Sequence, residues 1–453
     1  MKAISTSSLP QFAQDSTSVL DTQQVRKRNA IANKLELHDR AFHDWYRFVL
    51  SFPPHLVRDY IEKFGLVSQQ VVLDPFCGTG TTLVESKKQG LRSVGLEANP
   101  FAQFASSVKV DWEVDPDLLS LRAHEIAEFT RAALRGEGIE DDQPFSGNLI
   151  DVPLRKLDPE ANKLLLTDSI SPLPLHKTLI LRDFLRQRQD EPYYRHMVLA
   201  LASALVYVIS NLRFGPEVGI GKLKRDVPVI AAWLSEIEKI VDDLRHVASE
   251  PHADALVYLA DARKSGEVIA AESIDAVITS PPYPNEKDYT RTTRLESVVL
   301  GFINTKAELR EFKKTFVRSN TRSVYKGDDD DRWIAEHPEI QRIADSIEKR
   351  RIELGKDSGF ERQYARVTKL YFGGMARHLA DLRPVLRPGA QLAYVVGDQA
   401  SYLRVMIRTG ELLADIAQAM GYELVRIDLF RTRFATVTRE QLREEVVVLR
   451  WKG

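Results

Sequence analysis

The stretch Val71-Val72-Leu73-Asp74-Pro75-Phe76-Cys77-Gly78-Thr79-Gly80-Thr81-Thr82 decides the fold. Three apolar β-formers run into an acid, a proline and two glycines, and helix-compatible residues follow from Thr82 to Lys88. Strand, tight turn and helix in that order open a doubly wound α/β sheet. Ser93-Val94-Gly95-Leu96-Glu97 reads as the next strand and also ends on an acid. The turn lacks the G-x-G-x-x-G spacing of dinucleotide binders, and no Gly-Lys-Ser/Thr is present to hold a triphosphate. Gly78 and Gly80 let backbone approach a ligand closely, and Gly80 is free to take positive φ. Asp74, at the strand tip, is positioned to accept from an ammonium group or an ordered water, and Glu97 from two ribose hydroxyls. The segment therefore predicts a cradle for a nucleoside-bearing cofactor, against the plainer reading of a tight turn with no ligand.

A second strand–turn unit lies far along the chain. Ala255-Leu256-Val257-Tyr258-Leu259 restores strand patterning, and Asp261 just beyond it is a candidate acceptor for an adenine amine or a simple helix cap. Ala276-Val277-Ile278 then leads into Thr279-Ser280-Pro281-Pro282-Tyr283. Ligands of open α/β sheets bind beyond the carboxyl ends of strands. Two prolines stiffen this turn and remove two N–H donors, leaving carbonyls free to accept. An aromatic amine is a weak nucleophile because its lone pair is delocalised. Hydrogen bonds to the Ser280 hydroxyl and the Pro281 carbonyl would favour a tetrahedral nitrogen and stabilise its developing charge, with Tyr283 stacked on the base. The two motifs together predict methyl transfer from S-adenosylmethionine to an exocyclic amine; either alone is also compatible with a plain loop.

The remaining chain bounds this reading. A length of 453 residues allows two or three domains. The composition, 43% hydrophobic and 28% charged, is that of a globular protein. No apolar run is long enough for a bilayer; Met197 to Ile209 comes nearest and reads as a buried helix. One cysteine excludes an intrachain disulfide or a cysteine metal cluster, no histidine pair suggests a metal, and a cytoplasmic setting is the default. Residues 1–30 read as a tail, and apolar spacing from Ile31 to Phe64 predicts helix broken at Pro53-Pro54. The sheet-forming core is assigned to 31–111, 251–302 and 365–453. A largely helical insertion at 112–250 and a charged one at 303–364 divide it. Asp328 to Asp331 read as a solvent-facing loop.

On the strings 74–82, Glu97 and 280–283, the chain resembles the amino-group DNA methyltransferases, which modify N4 of cytosine or N6 of adenine. The resemblance implies cofactor contacts from Asp74, Pro75, Phe76, Cys77, Gly78, Gly80, Thr81, Glu97 and Asp261. It adds Pro54, from the segment Phe52 to Val57 that closes over the methionine end, and a target-pocket role near Asp398. Ser280, Pro281, Pro282 and Tyr283 are the implied catalytic turn, and a serine at its head favours cytosine N4. Cys77, the only thiol, reads as a small buried residue rather than a nucleophile.

A duplex target implies a flipped base and positive charge around the pocket mouth. Arg291, Arg294, Lys313, Lys314, Arg318 and Arg322 follow the catalytic turn. Lys222, Lys224 and Arg225 form a basic loop in the first insertion. Charge runs are as often plain solvated surface. Double-stranded DNA is the expected partner, with a cognate restriction endonuclease acting on the same site. Adenine-N6 methylation, RNA amine methylation and a non-catalytic defence component are the competing readings.

Overall fold

A computed structural model describes residues 35–47, 52–147, 152–215, 217–248, 251–285, 287–434 and 441–453. The tail expected at 1–30 lies outside the described residues. Strands β1 (Val71–Asp74), β2 (Arg92–Glu97), β3 (Leu212–Phe214), β4 (Val218–Ile220), β5 (Ala255–Leu259), β6 (Ile274–Thr279), β7 (Leu386–Gly397), β8 (Glu423–Phe434) and β9 (Gln441–Arg450) form two sheets. The main sheet runs β5-β2-β1-β6-β7-β9-β8, with β3 and β4 paired separately. Its first five strands are parallel, and β9 enters antiparallel between β7 and β8. This is the doubly wound, mostly parallel sheet that the sequence predicts.

Strand order reverses at β1, which has β2 on one side and β6 on the other. Side chains alternate between two cores. Val72, Ala276, Ile278, Ala393, Val395, Val446 and Val448 face one side. Leu73, Val277, Leu392, Tyr394, Val396, Val447 and Leu449 face the other. Both faces are covered, which is why these strands read as unbroken apolar runs. Helix α1 (Pro54–Phe64) closes the first face with Leu56, Val57, Tyr60, Ile61 and Phe64, residues at helical spacing. Pro54 occupies its first turn, where a missing N–H costs nothing. Upstream, where the apolar spacing predicts helix, the described residues 35–47 form 3-10 turns at Leu37–Asp39 and His43–Trp45. Phe42 and Trp45 are buried there against other helices, so tertiary packing rather than a continuous helix sets their spacing.

Helices α2 (Thr81–Lys88) and α3 (Pro100–Lys109) follow β1 and β2. Helices α4 (Pro116–Gly136), α5 (Pro172–Arg186), α6 (Tyr194–Ala204) and α7 (Val229–Val247) build the first insertion. Their core is continuous with Leu83, Phe101 and Ala105 of α2 and α3. The Met197 to Ile209 run is a buried helix ending in a π turn, and no described helix is long and apolar enough to cross a membrane.

Helices α8 (Pro338–Glu353), α9 (Tyr364–Leu382) and α10 (Thr409–Ala419) pack on the second face. The acidic run departs from expectation. Asp330 is buried and pairs with Arg263 and with Arg377, and Asp328 pairs with Arg318 at 2.8 Å. Gly373 makes this possible: a Cβ there would stand 1.9 Å from the Asp330 carbonyl oxygen. A glycine inside a helix costs about 1 kcal/mol, here tolerated because it admits the neighbouring backbone.

Candidate active site

The register of β1 on β6 brings the two motifs together. Val72 is level with Ala276 and Leu73 with Val277, so Asp74 lies beside Ile278 and Thr279. The glycine loop and the Pro-Pro-Tyr turn therefore leave the same sheet edge side by side. They line one cleft of about 730 Å³, within the range of cofactor sites.

Asp74 is the clamp between them. Its Oδ1 accepts from Thr279 Oγ1 at 2.6 Å and from the Phe76 amide at 3.1 Å; its Oδ2 accepts from Thr82 Oγ1 at 2.7 Å. Burial raises its pKa to about 6 against these hydrogen bonds. The expectation that it meets the cofactor is corrected: Asp74 has no exposed surface and lies beneath the cleft lining. Gly80 likewise lies behind the lining. It caps α2 at φ +83°, and a Cβ would come 2.5 Å from Ser106 Oγ. Pro54 is buried in the first turn of α1 and does not line the cleft, whereas its neighbours Phe52 and Pro53 do.

Pro75, Phe76, Cys77, Gly78, Thr81, Glu97 and Asp261 all line the cleft. Glu97 accepts from the Gly78 amide at 2.9 Å and the Asn99 amide at 2.7 Å, and burial raises its pKa to about 7. Its carboxylate stands at the strand end with two strong donors fixing its plane. Asp261 also holds Arg263, with Oδ2 accepting from Nη2 at 2.6 Å and Oδ1 from Nε at 2.9 Å. The Cys77 thiol is buried with its pKa raised by desolvation, inert as a nucleophile.

Ser280, Pro281, Pro282 and Tyr283 form the opposite wall. Ser280 lines the cleft with its Oγ donating to the Val395 carbonyl at 3.3 Å and in contact with the Tyr283 hydroxyl. Tyr283 Cε2 would lie 3.1 Å from a Cβ at position 397, so Gly397 gives the ring its room. The Tyr283 amide donates to Tyr289 Oη at 3.2 Å and fixes the turn from behind. Asp398 does not reach this wall. Its Oδ2 is held by Arg408 and Arg443, and the side chain is buried.

The cations that follow the turn divide sharply. Lys313 is buried on Asp288 at 2.7 Å, and Arg318 is buried on Asp328. Arg294 donates to Thr290 Oγ1 at 2.5 Å and its pKa is lowered by burial. These three are corrected from DNA contacts to internal ties, because each is enclosed beside an oxygen partner. Lys314 is exposed and pairs with Glu311, Arg291 stands 3.9 Å from Glu217, and Arg322 is exposed over the Phe360 ring. Lys222 and Arg225 are exposed, whereas Lys224 donates to the Val208 carbonyl.

Several lining residues escape sequence reading. Thr315, Phe316, Val317 and Ser319 bring the second insertion into the cleft by its uncharged stretch. Lys287, Arg431, Arg433 and Glu444 add charge to the lining, with Glu444 paired to both arginines. Asn99 caps α3 and its Nδ2 donates to Thr293 Oγ1 at 3.0 Å, tying the glycine-loop half to the segment after the Pro-Pro-Tyr turn. Asn before Pro100 was the one local signal, a cap followed by proline at the first helical position. The others come from strands or loops whose alternation says only that they are half-buried.

Comparison with known proteins gives the following. Residues 11–105 match the family model described as DNA methylase. The chain is 25% identical over 445 residues to the Type II methyltransferase M.BsoBI of Geobacillus stearothermophilus, covering 91% of this chain and 84% of that one. It is 24% identical to the Type II methyltransferase M.AvaI of Anabaena variabilis, covering 90% and 86%. Among solved structures, TrmN from Thermus thermophilus aligns at 13% identity and a TM-score of 0.27, over 91% of this chain and 52% of that one.

Proposed function

We propose that the chain, which is similar over part of its length to a DNA methylase family model and over most of it to Type II methyltransferases, is an amino-group DNA methyltransferase that transfers a methyl group to N4 of cytosine in duplex DNA. That similarity implies S-adenosylmethionine as the donor, which supplies an electrophilic methyl on a sulfonium when bound. Glu97 is the residue fitted to the ribose hydroxyls, since its fixed carboxylate is only half-buried. Phe76, Cys77 and Gly78 would cradle the rest of the donor, and Asp261 its adenine amine.

The observation that carries the reading is the Ser280 hydroxyl, which donates to the Val395 carbonyl where Ser280 lines the cleft. An amine N–H bound there, with the Pro281 carbonyl beside it, has positive charge stabilised as it forms on nitrogen. Tyr283, given room by Gly397, stacks on the base. A base inside a duplex cannot reach this wall unless it is extruded. The serine at the head of the turn supports cytosine over adenine.

The test is methyl transfer to DNA from a methylation-free host, followed by digestion to nucleosides and mass spectrometry. N4-methyldeoxycytidine is expected. N6-methyldeoxyadenosine without it refutes the choice of base, and methylation of RNA alone refutes the substrate. Tyr283→Ala should reduce transfer while leaving donor affinity nearly intact. A cognate endonuclease would be sought by challenging methylated and unmethylated DNA with host extract.

A further inference from the structure

The second sheet has a face that the catalytic reading does not use. β3 and β4 pair only with each other, Arg213 opposite Gly219 and Phe214 opposite Val218. Period-two alternation gives this ribbon two unlike sides. Leu212 and Phe214 pack on the helical core, and Val218 is buried. The other side carries exposed Arg213 and, across from it, Gly219, where an added Cβ would meet nothing within 4 Å. Exposed Lys222, Leu223 and Arg225 follow directly.

Arg213, Lys222 and Arg225 make no ion pair or hydrogen bond through their side chains among the described residues. In the rival insertion Lys313, Lys314 and Arg318 each have an acidic partner, and exposed Arg322 rests on the Phe360 ring. Buried Asn211 holds the base of the ribbon rigid: its Nδ2 donates to the Asp168 carbonyl at 2.9 Å and its Oδ1 accepts from the Lys224 amide at 2.8 Å. Glu217, in the turn that joins β3 to β4, lines the same cleft as the Pro-Pro-Tyr turn, so the tip of the ribbon stands at that cleft.

We propose that Arg213, Lys222 and Arg225 form the surface that grips the DNA backbone beside the extruded nucleotide, which assigns duplex engagement to the first insertion; this rests on the function proposed above. The occupant is duplex DNA because unpaired cations on a rigid, glycine-flattened ribbon complement a regular line of phosphates. A two-stranded ribbon also fits the major groove. Leu223, 53% exposed among these cations, suits contact with sugar edges.

The experiment uses the full chain carrying Arg213→Glu, Lys222→Glu and Arg225→Glu, and a neutral alanine set at the same positions. Binding is read by fluorescence anisotropy on a random duplex of about four helical turns across a salt series. Methyl transfer is read on host DNA. The charge-reversed protein should bind roughly 30-fold more weakly, with a log–log salt slope shallower by about 2 to 3. The alanine set should shift both in the same direction by less. Donor affinity, measured by calorimetry, should stay within about twofold of wild type, near the noise of additive surface changes. Raised KM for DNA with kcat retained at saturation is the expected kinetic split. Unchanged DNA affinity in both sets, while the wild type methylates DNA, overturns the assignment alone. The same loss from Lys314→Glu with Arg322→Glu, and none from the ribbon, overturns it in favour of the second insertion. A wild type that methylates no DNA strikes the underlying function instead and takes the assignment with it.

Discussion

Replacing Asp74 by Asn separates two roles that a strand-tip acid can have. The carboxylate is wholly buried and receives three hydrogen bonds, from Thr279, Thr82 and the Phe76 amide. An asparagine can keep all three contacts. Its oxygen accepts from Thr279 and Phe76, and its amide donates to Thr82 Oγ1. That hydroxyl already lies 3.1 Å from a second acceptor, the Ile278 carbonyl, to which it would turn its proton. What the variant removes is a buried charge. Burial raises the pKa from 3.8 to about 6, so ionisation is costlier in the folded than in the unfolded chain. At about 1.4 kcal/mol per pKa unit, that cost is on the order of 3 kcal/mol above pH 6. It fades as pH falls through 6 toward the unfolded value, where both states are protonated. Asp74→Asn should therefore be more stable than wild type by up to about 3 kcal/mol near pH 7, and the two should converge near pH 4. Urea denaturation at matched pH values measures the difference. Donor affinity by calorimetry should be unchanged. A variant that folds as well as wild type but binds donor tenfold more weakly would refute the clamp and restore a direct cofactor contact.

Other outcomes follow from neighbouring geometry. Gly397→Val should push the Tyr283 ring aside, lowering kcat by about tenfold or more with donor affinity preserved, as single-turnover kinetics would show. Arg263→Met takes the guanidinium from Asp261 and leaves buried Asp330 with Arg377 alone, and should cost roughly 3 kcal/mol of stability by denaturant titration. Glu97, with its pKa raised to about 7, is the better acceptor when ionised, so donor affinity should strengthen from pH 6 to pH 8. Glu97→Gln should bind more weakly and lose that pH dependence in the same calorimetric series.

The sheet was legible because its strands are buried on both faces. Val71 to Leu73 and Ala276 to Ile278 read as apolar runs, and the glycine and double-proline turns mark where they stop. The basic stretch after the catalytic turn was misleading for a definite reason. Lys313 and Arg318 find their acids only after folding, Asp288 lying 25 residues away and Asp328 10. A linear pattern of charge carries no sign of whether a partner will arrive. The acidic run failed in the same way: Asp330 meets Arg263 across 67 residues, and only Gly373 on another helix lets its backbone sit so close.

From the sequence alone came the sheet class, the two loops and the chemistry they suit, because glycine, proline and apolar alternation act through local backbone geometry. Tertiary structure decided which face each residue serves. It turned Asp74 inward as the tie between loops, moved the Phe316 stretch into the cleft wall, and left Arg213, Lys222 and Arg225 on and beside the β3–β4 ribbon without a charged partner among the described residues. Strand register and long-range ion pairing fix these outcomes, and both depend on contacts between segments that lie far apart in the chain.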